Sequence, residues 1–215
     1  VYDLTHPLTS DTPVYPGDPP VGVEPAATHE ADGYRVSDVH LNSHAGTHLD
    51  APAHLLVDGR TLDDYPVDRF VFDAHVVDCT GLDAGETVRA SDLPDPDCEL
   101  LLLHTGWDAH WGTDRYDDHP SLAPDAARWC ADRGYDVGLD TAGPDPTGAE
   151  SFPAHRILFR ADCLLLENLT GLADLPERVR LSAFPLALAD ADGAPVRAVA
   201  VPADVPAEDG SRNYH

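Results

Sequence analysis

The chain has 215 residues, 39 of them acidic against 13 basic, for a net charge of −26. That length suits one domain with an ample core, and so negative a field repels nucleic acid and anionic membrane surfaces. A hydrophobic fraction of 42% argues against an acidic disordered protein, and no apolar run approaches the ~20 residues a membrane span needs.

Residues 1–8 read as a short strand ending at His6-Pro7. The start, Val1-Tyr2-Asp3-Leu4, has neither a basic nor an apolar leader region, so we expect a cytoplasmic protein. Thr12 to Pro20 carries four prolines and reads as an ordered extended loop. Tyr34 to His44 alternates as a strand does, and Phe70 to Cys79 reads as a buried strand. Ala84 to Asp97 holds turn residues and room for a short helix. Leu100 to His104 is a continuous apolar run of strand length, followed by a polar loop over 108–120.

Ala123 to Arg133 is the clearest helix. Pro124 suits its first turn, Asp125 complements its dipole, and Gly134 suits the position after its end. Val137 to Asp140 and Cys163 to Glu167 read as strands, with a short helix from Phe152 to Arg160 between them. Residues 180–188 and 195–201 form a hairpin joined at Asp192-Gly193. The pattern predicts a single α/β domain over 1–202 with a mixed sheet and few helices, and an acidic arm or tail over 203–215.

All 13 basic residues are arginine, and lysine is absent. Dense carboxylates without lysine fit adaptation to high salt, where screening relieves their mutual repulsion. The cysteines at 79, 98, 130 and 163 have no C-x-x-C spacing, so we expect four free thiols rather than a zinc ribbon or a redox pair.

The chemistry concentrates between His44 and His54, where the spacing is H-x3-H-x-D-x3-H. Imidazole and carboxylate together suit zinc, manganese or iron. A straight strand would spread the four positions over ~33 Å at ~3.3 Å per residue. On a helix, Asp50 would point ~200° away from His48 at ~100° per residue. The chain must therefore bend, and Gly46 and Pro52 allow it. We expect a strand from Tyr34 to deliver His44 and a turn to carry His48, Asp50 and His54. A second pair is His155 and Glu167. Glu167 ends the apolar run Leu164-Leu165-Leu166, where a carboxylate must be paired or coordinating. Spacing leaves open whether Glu167 is a ligand or the partner of Arg156 or Arg160. It equally leaves open whether His155 is a ligand or a helix-start hydrogen bond.

The string HxGTHxDxPxH, with a later His and Glu twelve apart, resembles the cyclase superfamily that includes bacterial kynurenine formamidase (arylformamidase). Pro13-Val-Tyr-Pro-Gly-Asp18, Thr105-Gly106-Trp107, Gly138-Leu-Asp-Thr141 and Leu166-Glu167-Asn168-Leu169 support the likeness, which runs from Leu4 to about Val201. Kynurenine formamidases often carry Trp where Tyr15 stands here. The resemblance implies a swivelling β/β/α domain, working as a homodimer or dimer of dimers. It implies that His44, His48 and Asp50 bind a metal, with Asp50 able to bridge to a second ion held by His155 and Glu167. One or two zinc or manganese ions per chain would fit, and His54 would be the acid–base residue.

A divalent metal lowers the pKa of a water from ~15.7 toward ~7, and His54 would protonate a leaving nitrogen. The expected activity is a metal-dependent hydrolase of arylformamidase type, converting N-formylkynurenine to kynurenine and formate in tryptophan catabolism. Its partner would be a small aromatic amide, for which Tyr15, Tyr34, Trp107 and Phe152 are candidate contacts. The alternatives are a related isatin-hydrolase-like hydrolase or dehydratase and a non-catalytic metal-binding protein. A serine hydrolase is disfavoured because no G-x-S-x-G elbow is present. The charge balance predicts a melting temperature that rises between dilute buffer and molar KCl; an unchanged midpoint in a thermal scan would refute adaptation to salt.

Overall fold

The five residues Leu100–His104 show how the chain is layered. Leu100 and Leu102 enter one buried cluster, and Leu101 and Leu103 enter another on the opposite face. A strand covered on both sides has no polar face to show, which is why the run is continuous rather than alternating.

The computed structural model describes residues 1–203. In chain order its elements are β1 (Tyr2–Asp3), β2 (Gly22–Ala27), α1 (His29–Asp32), β3 (Val36–His40), β4 (His48–Asp50), β5 (Val71–Asp78) and β6 (Thr87–Val88). Then come β7 (Leu100–His104), β8 (Ser121–Leu122), α2 (Pro124–Arg133), β9 (Asp136–Leu139), α3 (Pro153–Arg160), β10 (Leu165–Glu167), β11 (Arg178–Pro185) and β12 (Gly193–Pro202). The expected arm over 203–215 lies, apart from Ala203, outside the described residues.

Strands β5, β7, β9 and β10 run parallel to one another, while β4, β11 and β12 pair antiparallel. β12 bonds to β11 along most of its length and to β4 through Gly193–Pro195, so the mixed sheet closes on itself. The short strand β1 lies along the rest of β12. Inside the closed sheet sit Leu4, Leu49, Phe72, Leu100, Leu102, Leu166 and Leu181, with several alanines. Outside it, Leu101, Leu103, Val137 and Leu165 pack under α2 and α3.

Both helices form for local reasons. α2 starts on Pro124 and stops at Gly134 in the left-handed region (φ 72°), burying Ala126, Ala127 and Cys130. α3 starts on Pro153 and buries Ala154, His155, Leu158 and Phe159. The runs 70–79, 100–104, 123–133, 137–140, 152–160 and 163–167 therefore form elements within a few residues of expectation.

Two expectations are corrected. The predicted strand from Tyr34 ends at His40, and it belongs to a separate β2–β3 ribbon whose β3 side chains are all exposed. The hairpin of β11 and β12 is real, but its connection is residues 186–192 and Gly193 already lies in β12. The Asp192-Gly193 pair has the look of a hairpin turn, but Gly193 is needed for space, as described below, rather than for a turn.

Asp136 opens β9 with 2% exposure and is held by Arg69, whose two guanidinium nitrogens donate at 2.6 and 2.7 Å. The Leu164 amide donates to it as well, at 2.7 Å. Burial raises the Asp136 carboxyl and Arg69 works against that rise. Arg69→Met leaves a buried charge without its partner and should cost about 3 kcal/mol in urea unfolding. Adding Asp136→Asn to that variant should recover part of the loss.

Candidate metal centre

The functional side chains meet on the outer face of the closed sheet, beside the start of α3. In the register of β4 with β10, His48 lies opposite Glu167 and Asp50 opposite Leu165. Residues two apart on a strand share a face, so His48 and Asp50 point the same way while Leu49 and Leu166 point into the sheet interior. On the other side of β4, Gly193 of β12 lies opposite Asp50. A Cβ at Gly193 would come within 2.7 Å of the His44 ring and 3.1 Å of Asp50 Oδ1. The missing side chain is what lets His44 lie over that strand. Gly143 does the same for Glu167 and His155, at 3.2 and 3.5 Å.

His44 comes from the turn before β4 rather than from a strand, and His48 and Asp50 come from β4 itself, the reverse of the expected arrangement. The sharp bend falls at Gly46, as expected, with φ 66°. His54 follows on a single 3-10 turn that starts at Pro52.

His44 Nδ1 is 2.7 Å from Asp50 Oδ1, and His48 Nε2 is 3.1 Å from the same oxygen. His48 Nε2 is also 3.5 Å from Glu167 Oε2, and His155 Nε2 is 3.2 Å from Glu167 Oε1. His44, His48 and Asp50 form one group that could hold a metal ion, and Asp50, His155 and Glu167 form another. Asp50 belongs to both.

The donor chemistry fits a divalent cation. His48 Nδ1 donates to the Gly46 carbonyl at 2.9 Å, leaving the Nε2 lone pair to face the carboxylates. His155 Nδ1 donates to Asp145 at 2.7 Å, with the same result. Glu167 Oε1 is buried and makes no hydrogen bond among the described residues, because the nearby His155 Nε2 is out of line for one. A buried carboxylate oxygen without a donor is costly, and a cation satisfies it. Among the described residues Glu167 pairs with neither Arg156 nor Arg160, and Arg156 donates to the Leu55 carbonyl instead.

The charges follow from this crowding. Burial works against a protonated His44, yet Asp50 and Asp192 outweigh it and raise it to about 11. His155 is raised to about 9, burial being outweighed by Asp145 and Glu167. The bare cluster therefore holds protons that a metal ion displaces, so metal affinity rises with pH. His54 behaves differently. Burial lowers it, and His44 and His155 lower it further against the pull of Asp50 and Glu167. It is the neutral imidazole of the cluster, 4.1 Å from the His44 ring and 6.2 Å from the His155 ring between centroids.

A cavity of about 320 Å³ opens over the cluster. Tyr15 and Phe152 line it, Phe152 edge-on to His155 at 5.8 Å. Tyr15 accepts a hydrogen bond from the Gly148 amide at 2.8 Å, joining the proline-rich loop to the loop before α3. Tyr34 and Trp107 do not line the cavity. Tyr34 is 58% exposed on the β2–β3 ribbon, and Trp107 is buried with its indole donating to the Arg115 and Tyr116 carbonyls.

Sequence reading gave no site role to three acids and one amide. Asp145 caps α3 through the Ala154 and His155 amides while it orients the His155 ring. Asp192 accepts from His44 Nε2 at 3.0 Å and lies 3.5 Å from His54 Nδ1. Nothing in the sequence separates either from the other acids. Asp140 accepts from the Thr105 hydroxyl and the Thr105 and Gly106 amides, so the strings 105–107 and 138–141 grip each other. Asn168, left-handed at φ 55°, donates to the Gly46 carbonyl and accepts from Tyr116. It ties the end of β10 to the bend before β4.

Comparison with known proteins agrees with this geometry. Residues 2–146 match a family model described as "Putative cyclase". A curated kynurenine formamidase of Bordetella petrii is 34% identical over 207 residues, covering 93% of this chain and 96% of that protein. The crystal structure of an isatin hydrolase bound to the product analogue thioisatinate superposes with a TM-score of 0.83 at 27% identity, covering 94% and 92% of the two chains. A structure described as a "predicted metal-dependent hydrolase from Bacillus stearothermophilus" superposes with a TM-score of 0.75 at 28% identity, covering 92% and 95% of the two chains.

Asp145→Asn keeps an amide-sized side chain at the start of α3 but removes the charge that fixes His155. It should weaken metal binding by about 10–100-fold, read as the free-metal midpoint in a calorimetric titration.

Proposed function

The chain belongs to the cyclase family, and we propose that it is a metal-dependent arylformamidase that hydrolyses N-formylkynurenine to kynurenine and formate. The observation that carries this reading is the convergence of His44, His48, Asp50, His155 and Glu167 beneath a cavity, with the neutral imidazole of His54 beside them. Full-length similarity to kynurenine formamidases supports the substrate.

His44, His48 and Asp50 would hold one cation, and Asp50, His155 and Glu167 would hold a second. Nitrogen and oxygen donors without thiolate suit zinc or manganese. A bound divalent cation supplies a water of lowered pKa and a counter-charge for the carbonyl oxygen. The side chains do the rest. His54 takes a proton from the attacking water, whose oxygen bonds to the formyl carbon. It then gives that proton to the aryl nitrogen as the carbon–nitrogen bond breaks. Asp192, next to both His44 and His54, steadies the imidazolium that His54 passes through. Tyr15 and Phe152 supply apolar walls for the ring of a small aromatic amide. An aniline is a better leaving group than an alkylamine, so one acid–base residue suffices.

The structural likeness to an isatin hydrolase favours a second substrate class, cyclic aryl amides, on the same side chains. Isatin opening competes directly with formamide hydrolysis in a paired assay.

All four cysteines are unpaired, which suits a reducing cytoplasm. No helix among the described residues is long and apolar enough to cross a membrane. The chain would work as a homodimer or dimer of dimers. The two-stranded β2–β3 ribbon, whose β3 side chains are all exposed, is a surface that a second copy would cover.

Chelator-treated enzyme should lose turnover of N-formylkynurenine and regain it on adding zinc or manganese. His54→Ala should keep its metal and lose about 10²–10⁴-fold in kcat. Unchanged turnover after chelation refutes metal dependence, and loss of metal from His54→Ala makes His54 a ligand instead.

A further inference from the structure

His119 precedes β8 in a loop that neither the early histidine motif nor the metal cluster includes. Its ring is 2% exposed and lines the cavity together with Tyr116, Asp145, Phe152 and Glu167. Nδ1 lies 2.8 Å from the Pro120 carbonyl oxygen. A carbonyl only accepts, so Nδ1 carries the proton and Nε2 keeps its lone pair. Nε2 is buried and has no hydrogen-bond partner among the described residues. Buried acceptors are nearly always paired, so this one points to a donor brought by a ligand.

Its neighbours on the wall are already committed. Asp145 holds the start of α3 and the His155 ring, and the Tyr116 hydroxyl donates to Asn168. Thr147 Oγ1 also lines the cavity without a partner, but a hydroxyl can donate or accept and selects for neither. Burial keeps the His119 ring neutral by lowering its pKa. Neutral and tautomer-locked, it offers an acceptor and nothing else.

We propose that His119 is a specificity-determining residue whose Nε2 accepts a hydrogen bond from the N–H of an aryl amide. The proposal rests on the arylformamidase reading. An N-aryl formamide has one donor at the reacting nitrogen, and the product amine has two. An aryl formate ester or an N-methyl formamide has none at that atom. A site built to pair with a donor rejects the analogue that lacks it, because the wall acceptor is then stranded.

The test compares kcat/KM for N-formylkynurenine with that for its N-methyl analogue and for an aryl formate ester, in wild type and two variants. Asn in place of His119 keeps a donor toward the Pro120 carbonyl but lacks the distal acceptor. His119→Asn should reduce the preference for the N–H substrate at least tenfold. Gln can place its amide oxygen near the Nε2 position, so His119→Gln should keep part of the preference. A second measurement needs no variant: wild-type enzyme should bind kynurenine more tightly, by calorimetry, than its N,N-dimethylaryl analogue. Unchanged substrate ratios in a folded His119→Asn protein, or equal affinities for the two amines, overturn the proposal. Absence of wild-type turnover on every aryl formamide overturns the arylformamidase reading and this inference with it.

Discussion

The placement of β4 between β10 and β12 is the constraint on which the rest depends. Three residues long, β4 closes the sheet, and its two outward side chains are His48 and Asp50. Closure and site assembly are therefore one event. A slip of one residue in this register would turn His48 and Asp50 into the sheet interior and expose Leu49 to the cavity. Leu49 and Leu166, paired across β4 and β10 and both 1% exposed, hold the register against that slip. The hydrophobic interior thus fixes the polar exterior, two atoms of backbone away.

Placing this many ionisable groups on a buried face opposes folding. Asp50 and Glu167 are 1% and 4% exposed, and their negative charges would repel if left alone. The imidazoles relieve that in the bare protein by carrying protons, which is why His44 and His155 are raised. A divalent cation does the same task with a charge that does not depend on pH. The second layer of contacts makes sense on that view. Asp145, Asp192 and the Gly46 carbonyl each take an imidazole N–H on the far side of the ring, turning its lone pair inward.

What could be read from the sequence, and what could not, divides by range. The eleven residues from His44 to His54 are dense enough in ligand types to be recognised without a fold. Leu100–His104 and the Pro124–Gly134 helix are set by local patterning, and they formed as expected. The contribution of Asp192 depends on β12 returning 142 residues after Asp50 to lie beside β4, and no local pattern carries that. Asp145 reads as a loop acid until α3 is placed upon it. The strand from Tyr34 ends on an exposed ribbon, because local pattern says nothing about whether a strand joins the main sheet: Val36 and Val39, on opposite faces of β3, are 46% and 52% exposed. Trp107 and Tyr34 show the same limit, since aromatic residues near a motif in sequence need not share its cavity.

The division of labour within the cavity bears on how one scaffold serves related reactions. The metal-type ligands and His54 come from β4, its flanking turns, α3 and β10, all fixed by the closed sheet. Other groups on the cavity wall come from loops: Tyr15 from the proline-rich segment, Phe152 from the approach to α3, His119 from the approach to β8. Loops tolerate exchange because few buried contacts depend on them. The same five ligand-type residues can therefore face a linear formamide or a cyclic aryl amide, with the loops choosing between them. Asn168 marks the boundary. Its strained backbone belongs to the rigid side, and its side chain reaches Tyr116 on the cavity wall. One amide group thus joins the cavity wall to the Gly46 bend two residues after His44.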